Sequence, residues 1–385
     1  LFLIKRMNKK QTRWKKLFNL TVQSVRGMLG LKIKPSMIAN ISVTSKCNIF
    51  CKSCNIGRDF VQDPKIAEND LTIDEIERFF SSNRNFLDKV GWIQLTGGEP
   101  FLRQDLVQIM DIIKRFLPDC RLWVPTNGSV PTRIIAQVEK CLKVGNLEGV
   151  SVSLHGKEAY HDEFTGVKGT YNKALATVRG LIDLRKNFPQ LRISLSFTLF
   201  QGNYRELLDI FDLSKQLDVD FTFRSANYSG LYYKHKEADF RSNIYTVEIE
   251  REIEALIEKM GLNKKWGDLR LLARLYYFKG IIRFLREPHR RILPCLAGAS
   301  SCFIDSEGNV YPCLFVDKKI GNIRKQTLAE MWDLLEVKNL QKAIRKGKCP
   351  NCWVECETYR RIYENPYKPG LYALKYAMNN NVILD

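Results

Sequence analysis

The sequence predicts an α/β protein with a partial (β/α)6 TIM-type barrel, followed by a helical linker and a small cysteine-rich module. Between residues 38 and 224, six short runs rich in β-branched residues alternate with amphipathic helical runs. Right-handed crossovers place every helix on the outside of such a parallel sheet. The 385 residues are 45% hydrophobic and 27% charged, which is typical of globular proteins and excludes disordered and fibrous classes.

The elements follow one another regularly along the chain. The strands are predicted at 38–44, 92–96, 121–126, 149–154, 192–199 and 219–224, and the helices near 73–86, 104–117, 131–143, 171–187 and 203–217. Functional groups are expected where the strands end, because active sites of such barrels lie at the C-terminal ends of the strands. The chain is therefore divided into an N-terminal extension (1–37), the barrel (38–230), a basic helical linker (231–290), a cysteine-rich module (291–360) and a C-terminal tail (361–385).

The net charge of +19 is concentrated in two segments. Residues 1–34 carry ten basic and no acidic side chains, and residues 264–293 carry nine basic and two acidic ones. Both have the apolar spacing of amphipathic helices. Such helices lie on an anionic membrane surface, bind an anionic partner, or pack on the protein and expose their charges to solvent. Nucleic acid is not an expected partner, because the chain has no zinc-finger, RNP-type or KH-type motif.

The chain lacks the signals of a membrane-spanning or exported protein. No apolar run approaches the roughly 18 to 20 residues that cross a bilayer, and the apolar start of the N-terminus is too short for a signal peptide. The sequence therefore predicts a cytoplasmic protein, peripheral at the membrane surface if the basic N-terminus binds lipid. Its 11 cysteines are not expected to form disulfides in a reducing compartment, and their clustering predicts metal binding.

The first cysteine cluster has the spacing C-x3-C-x2-C and follows the first predicted strand directly. It consists of Cys47, Cys51 and Cys54. Zinc normally takes four protein ligands, or three and a water, and no fourth Cys or His lies nearby. Three thiolates can instead hold three irons of a 4Fe-4S cluster and leave the fourth iron open for a small molecule.

This motif resembles the signature of the radical S-adenosylmethionine (radical SAM) family, in which a GGE-type motif also ends the second strand. Here LTGGEP stands at that place, Thr126-Asn127-Gly128 ends strand three, and Ser153-Leu154-His155-Gly156 ends strand four. Two residues depart from the family pattern: His155 stands where Asp is frequent, and Ser53 where an aromatic residue is common. The resemblance implies that the cofactor is contacted by the strand-end residues Gly97, Gly98, Glu99, Pro100, Asn127, Ser153, His155 and Arg224.

The resemblance also implies the reaction. In the family, a reduced 4Fe-4S cluster passes one electron into bound S-adenosylmethionine, and the resulting 5′-deoxyadenosyl radical takes a hydrogen atom from the substrate. The cofactor performs the difficult chemistry, while the protein positions the substrate and excludes water. A reductant such as flavodoxin or ferredoxin is the implied electron donor.

The C-terminal cysteines resemble the first half of the SPASM or twitch module found in many radical SAM enzymes. The matching features are the IDSEGNVYPC hairpin and the later CPNC pair. One auxiliary 4Fe-4S cluster is therefore expected, held by Cys295, Cys313, Cys349 and Cys352, with Cys302 or Cys356 as substitutes. A zinc ribbon is the alternative, because two cysteine pairs on hairpin turns make a good tetrahedral site. Cys120 and Cys141 are expected to be small buried apolar residues.

Three functions remain open. The first is a radical SAM enzyme acting on an anionic sugar or a lipid-linked metabolite, which positive potential would attract. The second is a maturase of a ribosomally made peptide, and the third is a non-catalytic iron–sulfur or zinc protein. Tyr228, Tyr232 and Tyr233 follow strand six and either face the substrate or pack on the linker.

Overall fold

The structure, a computed structural model, describes residues 38–88, 90–227, 229–234, 244–262, 269–364 and 372. The basic N-terminal extension, on which the membrane hypothesis depends, lies outside the described residues. The same is true of Tyr228 and of most of the C-terminal tail.

Six parallel strands in sequential order confirm the partial barrel. They are β1 (Ile38–Thr44), β2 (Trp92–Gly97), β3 (Arg121–Thr126), β4 (Leu147–Ser153), β5 (Arg192–Leu199) and β6 (Asp220–Ser225). Each begins and ends within two residues of its predicted bounds. The sheet is open, because β6 is an edge strand and does not pair with β1.

Helices cover the sheet and lead into the C-terminal module. They are α1 (Ile56–Gln62), α2 (Ile73–Ser82), α3 (Arg84–Leu87), α4 (Leu106–Phe116), α5 (Pro131–Val144), α6 (Glu158–Thr165), α7 (Thr170–Asn187), α8 (Leu207–Gln216), α9 (Val247–Lys259), α10 (Leu269–Arg286), α11 (Leu328–Asp333), α12 (Leu335–Arg345) and α13 (Glu355–Glu364). The short helices α1 and α6 were not predicted.

Local sequence signals explain where individual helices begin. Thr72 caps α2 by accepting a hydrogen bond from the backbone N–H of Glu75, whose carboxylate accepts one from Thr72 N in return. This reciprocal pair satisfies two backbone donors that the first turn leaves open. The apolar side chains Phe79 and Phe80 then turn inward and are buried, so one face of α2 covers the sheet.

The C-terminal module is joined to the barrel through the sheet itself. Strand β7 (Ser301–Ile304) pairs in parallel with β1, and β8 (Asn309–Tyr311) and β9 (Gly321–Asn322) continue the sheet with antiparallel pairing. The described strands therefore form one nine-stranded sheet. This arrangement sets the module beside β1, the strand that leads into the first cysteine cluster. The boundary at residue 290 stays a prediction.

Helix α10 packs inside the protein and buries part of its basic face, namely Lys279 and Arg283, while Arg270 and Arg286 stay exposed. Tyr277, Phe278 and Ile281 are at most 1% exposed, and even Lys279 is only 9% exposed. The Lys279 ammonium lies 2.5 Å from a carboxylate oxygen of Glu254 in α9. The packing alternative is thus correct for this segment, although part of its charge is paired in the interior and not solvated. In the portion of the chain described, no helix has the length and apolar character needed to cross a membrane.

Candidate functional site

The first cysteine cluster lies in the loop between β1 and α1, at the C-terminal edge of the sheet. Cys47 is buried, and Cys51 and Cys54 are partly buried. Burial raises the pKa of Cys47 to about 11 and that of Cys54 to about 12. Burial and then the charges of Cys54 and Cys47 raise the pKa of Cys51. Cys47 raises the pKa of both other thiols, so a bound cation would stabilise the ionised forms together, which fits an iron–sulfur ligand set.

Arg58 in α1 holds the shape of this loop. Its guanidinium donates from Nη1 to the backbone oxygens of Cys51 (2.9 Å) and Cys54 (3.1 Å), and from Nη2 to the oxygen of Phe50 (2.6 Å). One rigid cation therefore fixes three carbonyls between and beside the thiols. Sequence reasoning missed this residue, because its role appears only when α1 forms next to the loop.

Gly97 and Gly98 let the end of β2 approach the cysteine loop. The backbone N–H of Gly98 donates to Thr44 O (2.9 Å), and that of Glu99 donates to Lys46 O (2.7 Å). A Cβ atom on Gly98 would lie 2.2 Å from Lys46 O, and one on Gly97 would lie 2.3 Å from Thr44 O. Gly97 also has a φ of +134°, which favours glycine. The close approach inferred from the sequence is thus made to the chain's own backbone.

Glu99 connects the end of β2 to the end of β3. Its carboxylate is 1% exposed and accepts hydrogen bonds from Thr126 Oγ1 (2.8 Å), Asn127 N (2.7 Å) and Phe101 N (3.2 Å). Burial raises the pKa of Glu99 to about 7, although these donors favour the charged form. Pro100 follows it, buried, in a single 3-10 turn. Glu99 therefore braces strand three from inside the protein.

Strand three is connected in turn to the cysteine loop through Asn48. Asn127 Nδ2 donates to Asn48 Oδ1 (3.0 Å), and Asn48 Nδ2 donates to Ser129 Oγ (2.8 Å). Asn48 directly follows Cys47, so the position of the first thiol depends on this chain of hydrogen bonds. Asn48 and Ser129 were not predicted, because nothing in the sequence indicates that they are partners.

Ser153 and His155 lie at the end of β4, Ser153 half-buried and His155 7% exposed. The Nδ1 atom of His155 accepts a hydrogen bond from Thr198 N (3.3 Å). Burial, followed by the charges of His161 and Arg224, lowers the pKa of His155 well below its usual value. Its imidazole is therefore neutral, with the proton assigned to Nε2. His155 can donate a hydrogen bond where the aspartate of the family would accept one.

Residues after β6 fill the space between the barrel and the C-terminal module. Arg224, the penultimate residue of β6, donates from Nε to Thr198 Oγ1 (3.2 Å). The hydroxyl of Tyr232 lies 2.6 Å from Thr96 Oγ1, and its ring contacts that of Phe303 in β7. Asn55, next to Cys54, donates its backbone N–H to Tyr233 O (2.9 Å). Tyr232 and Tyr233 thus pack against the first cysteine loop and the sheet.

Five of the six C-terminal cysteines line one apolar cluster, and the sixth does not. The five are Cys295, Cys313, Cys349, Cys352 and Cys356. Cys302 is on β7 and belongs to the main core on the opposite face of the sheet, because successive side chains of a strand alternate between faces. The isolated Cys120 and Cys141 are also buried in the main core.

Two arginines lie beside these C-terminal thiols. Arg291 donates from Nη2 to Cys349 Sγ (2.7 Å), and the guanidinium of Arg361, only 2% exposed, donates to Cys352 O (3.4 Å). Burial alone lowers the pKa of Arg361, but Cys295 and Cys352 raise it above the usual value. The buried Glu357 carboxylate also acts on this guanidinium. Arg361 therefore has one carboxylate beside it, and it would also stabilise the thiolates of a bound cluster.

The spacing of these side chains differs from that of a single-ion site. Within the described ranges, no three His, Cys, Asp or Glu side chains are close enough to share one metal ion. A 4Fe-4S cluster binds each thiolate at a different iron, so its thiolates need not converge on one point.

Comparison with known proteins agrees with this geometry. Residues 41–213 match the family described as the radical SAM superfamily, and residues 295–357 match the SPASM iron–sulfur cluster-binding domain. An AdoMet-dependent heme synthase of Methanosarcina barkeri is 28% identical over 351 residues, 84% of this chain and 90% of that protein. An Fe-coproporphyrin III synthase of the same organism is 25% identical over 84% of this chain and 82% of that protein. A GTP 3′,8-cyclase of Nautilia profundicola is 26% identical over 74% of this chain and 85% of that protein.

Solved structures share the fold. SuiB of Streptococcus suis bound to S-adenosylmethionine superimposes with a TM-score of 0.56 at 15% identity, covering 79% of this chain and 67% of that one. The protein anSMEcpe with bound AdoMet superimposes with a TM-score of 0.57 at 17% identity, covering 91% and 96%. At this level of identity the likeness concerns the fold alone.

Proposed function

Because the chain belongs to the radical SAM superfamily and carries a SPASM domain, we propose that it cleaves S-adenosylmethionine reductively at a 4Fe-4S cluster on Cys47, Cys51 and Cys54. The observation that carries the proposal is that these three thiols share one loop, braced by Arg58 and by Asn48. Cys47, Cys51 and Cys54 would hold the cluster, which would supply one-electron reduction of S-adenosylmethionine and, through it, hydrogen-atom abstraction from the substrate. The protein itself holds the thiols, the cofactor and the substrate at the positions and orientations that the reaction requires.

The strand ends that surround the cysteine loop are the proposed cofactor site. It comprises Gly97, Gly98, Glu99, Pro100, Asn127, Ser153 and His155. The neutral imidazole of His155 donates to a hydroxyl of the cofactor from Nε2, and Glu99 keeps Asn127 in place. His155 therefore acts on the cofactor directly and Glu99 acts through Asn127, and substitution of each residue measures its contribution separately.

Glu99→Ala is expected to weaken S-adenosylmethionine binding about tenfold or more while the cluster stays. The change removes the acceptor of Asn127 N–H and Thr126 Oγ1, and charge-assisted hydrogen bonds are worth about 1.5 to 3 kcal/mol. His155→Ala is expected to have the smaller effect. Anaerobic equilibrium dialysis and iron analysis measure both, and near wild-type affinity in both variants would contradict the assignments.

For the auxiliary 4Fe-4S cluster we propose the ligands Cys295, Cys313, Cys349 and Cys352. Arg361 supports this set, because the charges of three of these thiols, those of Cys295, Cys352 and Cys349, act on its pKa. Cys356 has a different environment, in which Arg224 and Glu355 join Cys352 and Glu357 as the neighbouring charges. Four thiolates complete one cluster, which leaves Cys356 outside it.

Single cysteine variants test this ligand set. Cys313→Ala is expected to lose about four irons of the total of about eight, whereas Cys356→Ala and Cys302→Ala keep them. Cys302 is the matched control, because it is a buried cysteine of the same module that faces the main core. Loss of the auxiliary iron in Cys356→Ala, with iron retained in Cys313→Ala, would show that Cys356 and not Cys313 is a ligand of the auxiliary cluster.

The proposed substrate is an anionic small molecule. Relatives across most of the chain are named for products of two kinds, tetrapyrroles and a cyclised GTP, which carry carboxylates and phosphates respectively. This supports the anionic class, of which a sugar or lipid-linked metabolite is one form. The alternative is a peptide, since one solved neighbour is SuiB bound to its precursor peptide SuiA. The third hypothesis, a non-catalytic iron–sulfur or zinc protein, is excluded because the chain is a radical SAM superfamily enzyme.

Two further partners are proposed. Reductive cleavage needs an external one-electron donor such as flavodoxin or ferredoxin. An anionic membrane surface is the proposed partner of residues 1–34, because each Lys or Arg near such a surface contributes roughly 1 kcal/mol of binding free energy.

Deletion of residues 1–34 is expected to abolish binding to anionic liposomes. The full chain is expected to sediment with vesicles containing phosphatidylserine, less at high salt, because salt screens the attraction within about 10 Å. Vesicles of neutral lipid are the control. If the full chain does not sediment with anionic vesicles at low salt, residues 1–34 do not bind a membrane surface.

A further inference from the structure

Three polar side chains from different elements meet between the barrel and the C-terminal module. They are Arg224 at the end of β6, Tyr277 in α10 and Glu355 at the start of α13. Helix α10 packs against both β6 and α13, and the rings of Phe223 and Phe278 lie 5.5 Å apart. The three side chains therefore belong to one packed region.

These groups are not satisfied by one another. The hydroxyl of Tyr277 is buried, in a side chain that is 0% exposed, and has no hydrogen-bond partner in the structure as described. Among described residues, Arg224 hydrogen-bonds only from Nε to Thr198, and no ion pair within 4.0 Å joins it to Glu355. Buried polar groups are almost always paired, whereas Arg224 and Glu355 are only partly buried. An unpartnered buried hydroxyl beside two partly exposed charged groups indicates a ligand site.

Ring contacts connect the elements that carry the three groups. The ring of Tyr277 stacks 4.7 Å from that of Tyr359, one turn after Glu355 in α13, and the ring of Phe278 contacts that of Phe223, which precedes Arg224. Burial and then the charge of Glu355 raise the pKa of Tyr277, and Arg224 lowers it. Burial also raises the pKa of Glu355, while Arg224 and Arg274 lower it. Two guanidiniums thus face one carboxylate, and with Glu355 ionised the region has a net charge of about +1.

The region lies between the two cysteine clusters. Burial raises the pKa of Tyr233, Arg224 lowers it, and the charges of Cys54 and Cys356 raise it further. Tyr233 is therefore near Arg224, near Cys54 of the first cysteine cluster, and near Cys356, which lies in the same apolar cluster as the proposed auxiliary ligands. A substrate held here is close to the first cluster, where the radical would form.

We propose that Arg224 and Tyr277 bind a carboxylate of the substrate by hydrogen bonds from the guanidinium and the phenol, while Glu355 accepts a hydrogen bond from a donor of the same molecule. This inference rests on the proposed function and names the substrate class. It assigns to the substrate the guanidinium that the family resemblance assigns to S-adenosylmethionine.

Charge favours a carboxylate over a phosphate. A planar guanidinium matches either group, but one carboxylate neutralises a net charge of about +1. A phosphate carries about −1.5 to −2 at neutral pH and would leave buried negative charge unpaired, which is costly.

Binding of coproporphyrin III to the anaerobic holoenzyme tests the site. This tetrapyrrole carries several carboxylates and N–H donors, and its tetramethyl ester is the matched probe without charge. The wild type is expected to bind the acid at least tenfold more tightly than the ester. Arg224→Gln is expected to weaken acid binding about tenfold or more and Tyr277→Phe about threefold to tenfold. Glu355→Gln keeps an oxygen that accepts a hydrogen bond and removes a negative charge, so it is expected to tighten binding of the acid.

Controls separate this inference from the proposed function. Arg192→Gln and Tyr204→Phe make the same changes at an exposed arginine and a partly buried tyrosine outside this region and are expected to bind like the wild type. Formation of 5′-deoxyadenosine without the probe reports cofactor cleavage alone, and it should persist in these two control variants. The substrate site is overturned if the wild type does not prefer the acid, if it binds GTP more tightly than the acid, or if neither variant weakens binding. Loss of cleavage in the wild type instead overturns the proposed function.

Discussion

Replacing Cys47, Cys51 and Cys54 together by alanine is expected to remove about half of the iron and to abolish cleavage of S-adenosylmethionine. The anaerobically reconstituted wild type is expected to hold about eight irons, four in each of two clusters. The triple variant keeps the five thiols that line the C-terminal cluster and should therefore keep about four irons. Iron analysis and 5′-deoxyadenosine quantification measure the two effects.

The matched control is Cys120→Ala with Cys141→Ala. Both thiols are in the main core, away from either cluster, so their loss is expected to reduce stability without changing the iron content. Full iron content in the triple variant, or cleavage that survives it, would show that the loop after β1 does not hold the reactive cluster.

Gly98→Ala is expected to disrupt the site although no thiol is altered. The added Cβ would lie 2.2 Å from Lys46 O and 2.9 Å from Cys47 Cβ, so the cysteine loop must move. Overpacking of this kind costs about 1 to 3 kcal/mol or more. A shift of the loop by about 1 Å can also reduce catalysis by about a hundredfold. Cleavage of S-adenosylmethionine should fall at least that far, with the auxiliary cluster retained.

Gly91→Ala is the matched control for this substitution. Gly91 precedes the same strand, and a Cβ atom there would meet no atom within 4 Å. Its iron content and cleavage are expected to equal those of the wild type. If Gly98→Ala is as active as Gly91→Ala, the close packing between β2 and the cysteine loop is not needed for function.

The strands were predictable from sequence, because runs of β-branched residues between turns leave little freedom in where a buried parallel strand begins. The pairing of β7 with β1 was not, since it joins segments more than 250 residues apart and nothing in SCFI specifies that partner. The short helices α1 and α6 were missed for a related reason. They depend on packing, as where Phe50 donates its backbone N–H to Thr165 O at the end of α6.

The cysteines were predictable from spacing, whereas the residues that hold them were not. Arg58 and Asn48 act on carbonyl and amide groups whose positions exist only in the folded loop. The glycines at the end of β2 were expected to approach a ligand. The structure adds that the Cβ position of Gly97 is filled by β1 and that of Gly98 by the cysteine loop. Alternation along β7 separates Cys302 from the other C-terminal thiols, which its position in the sequence did not indicate.

Quantifying 5′-deoxyadenosine and methionine from anaerobically reconstituted, chemically reduced protein shows whether the chain cleaves S-adenosylmethionine reductively. Both products are expected to form in about equal amounts, to require iron and reductant, and to disappear when Cys47, Cys51 and Cys54 are replaced. Protein that holds stoichiometric zinc and no iron, or that is fully loaded with iron and forms no 5′-deoxyadenosine, would contradict this expectation.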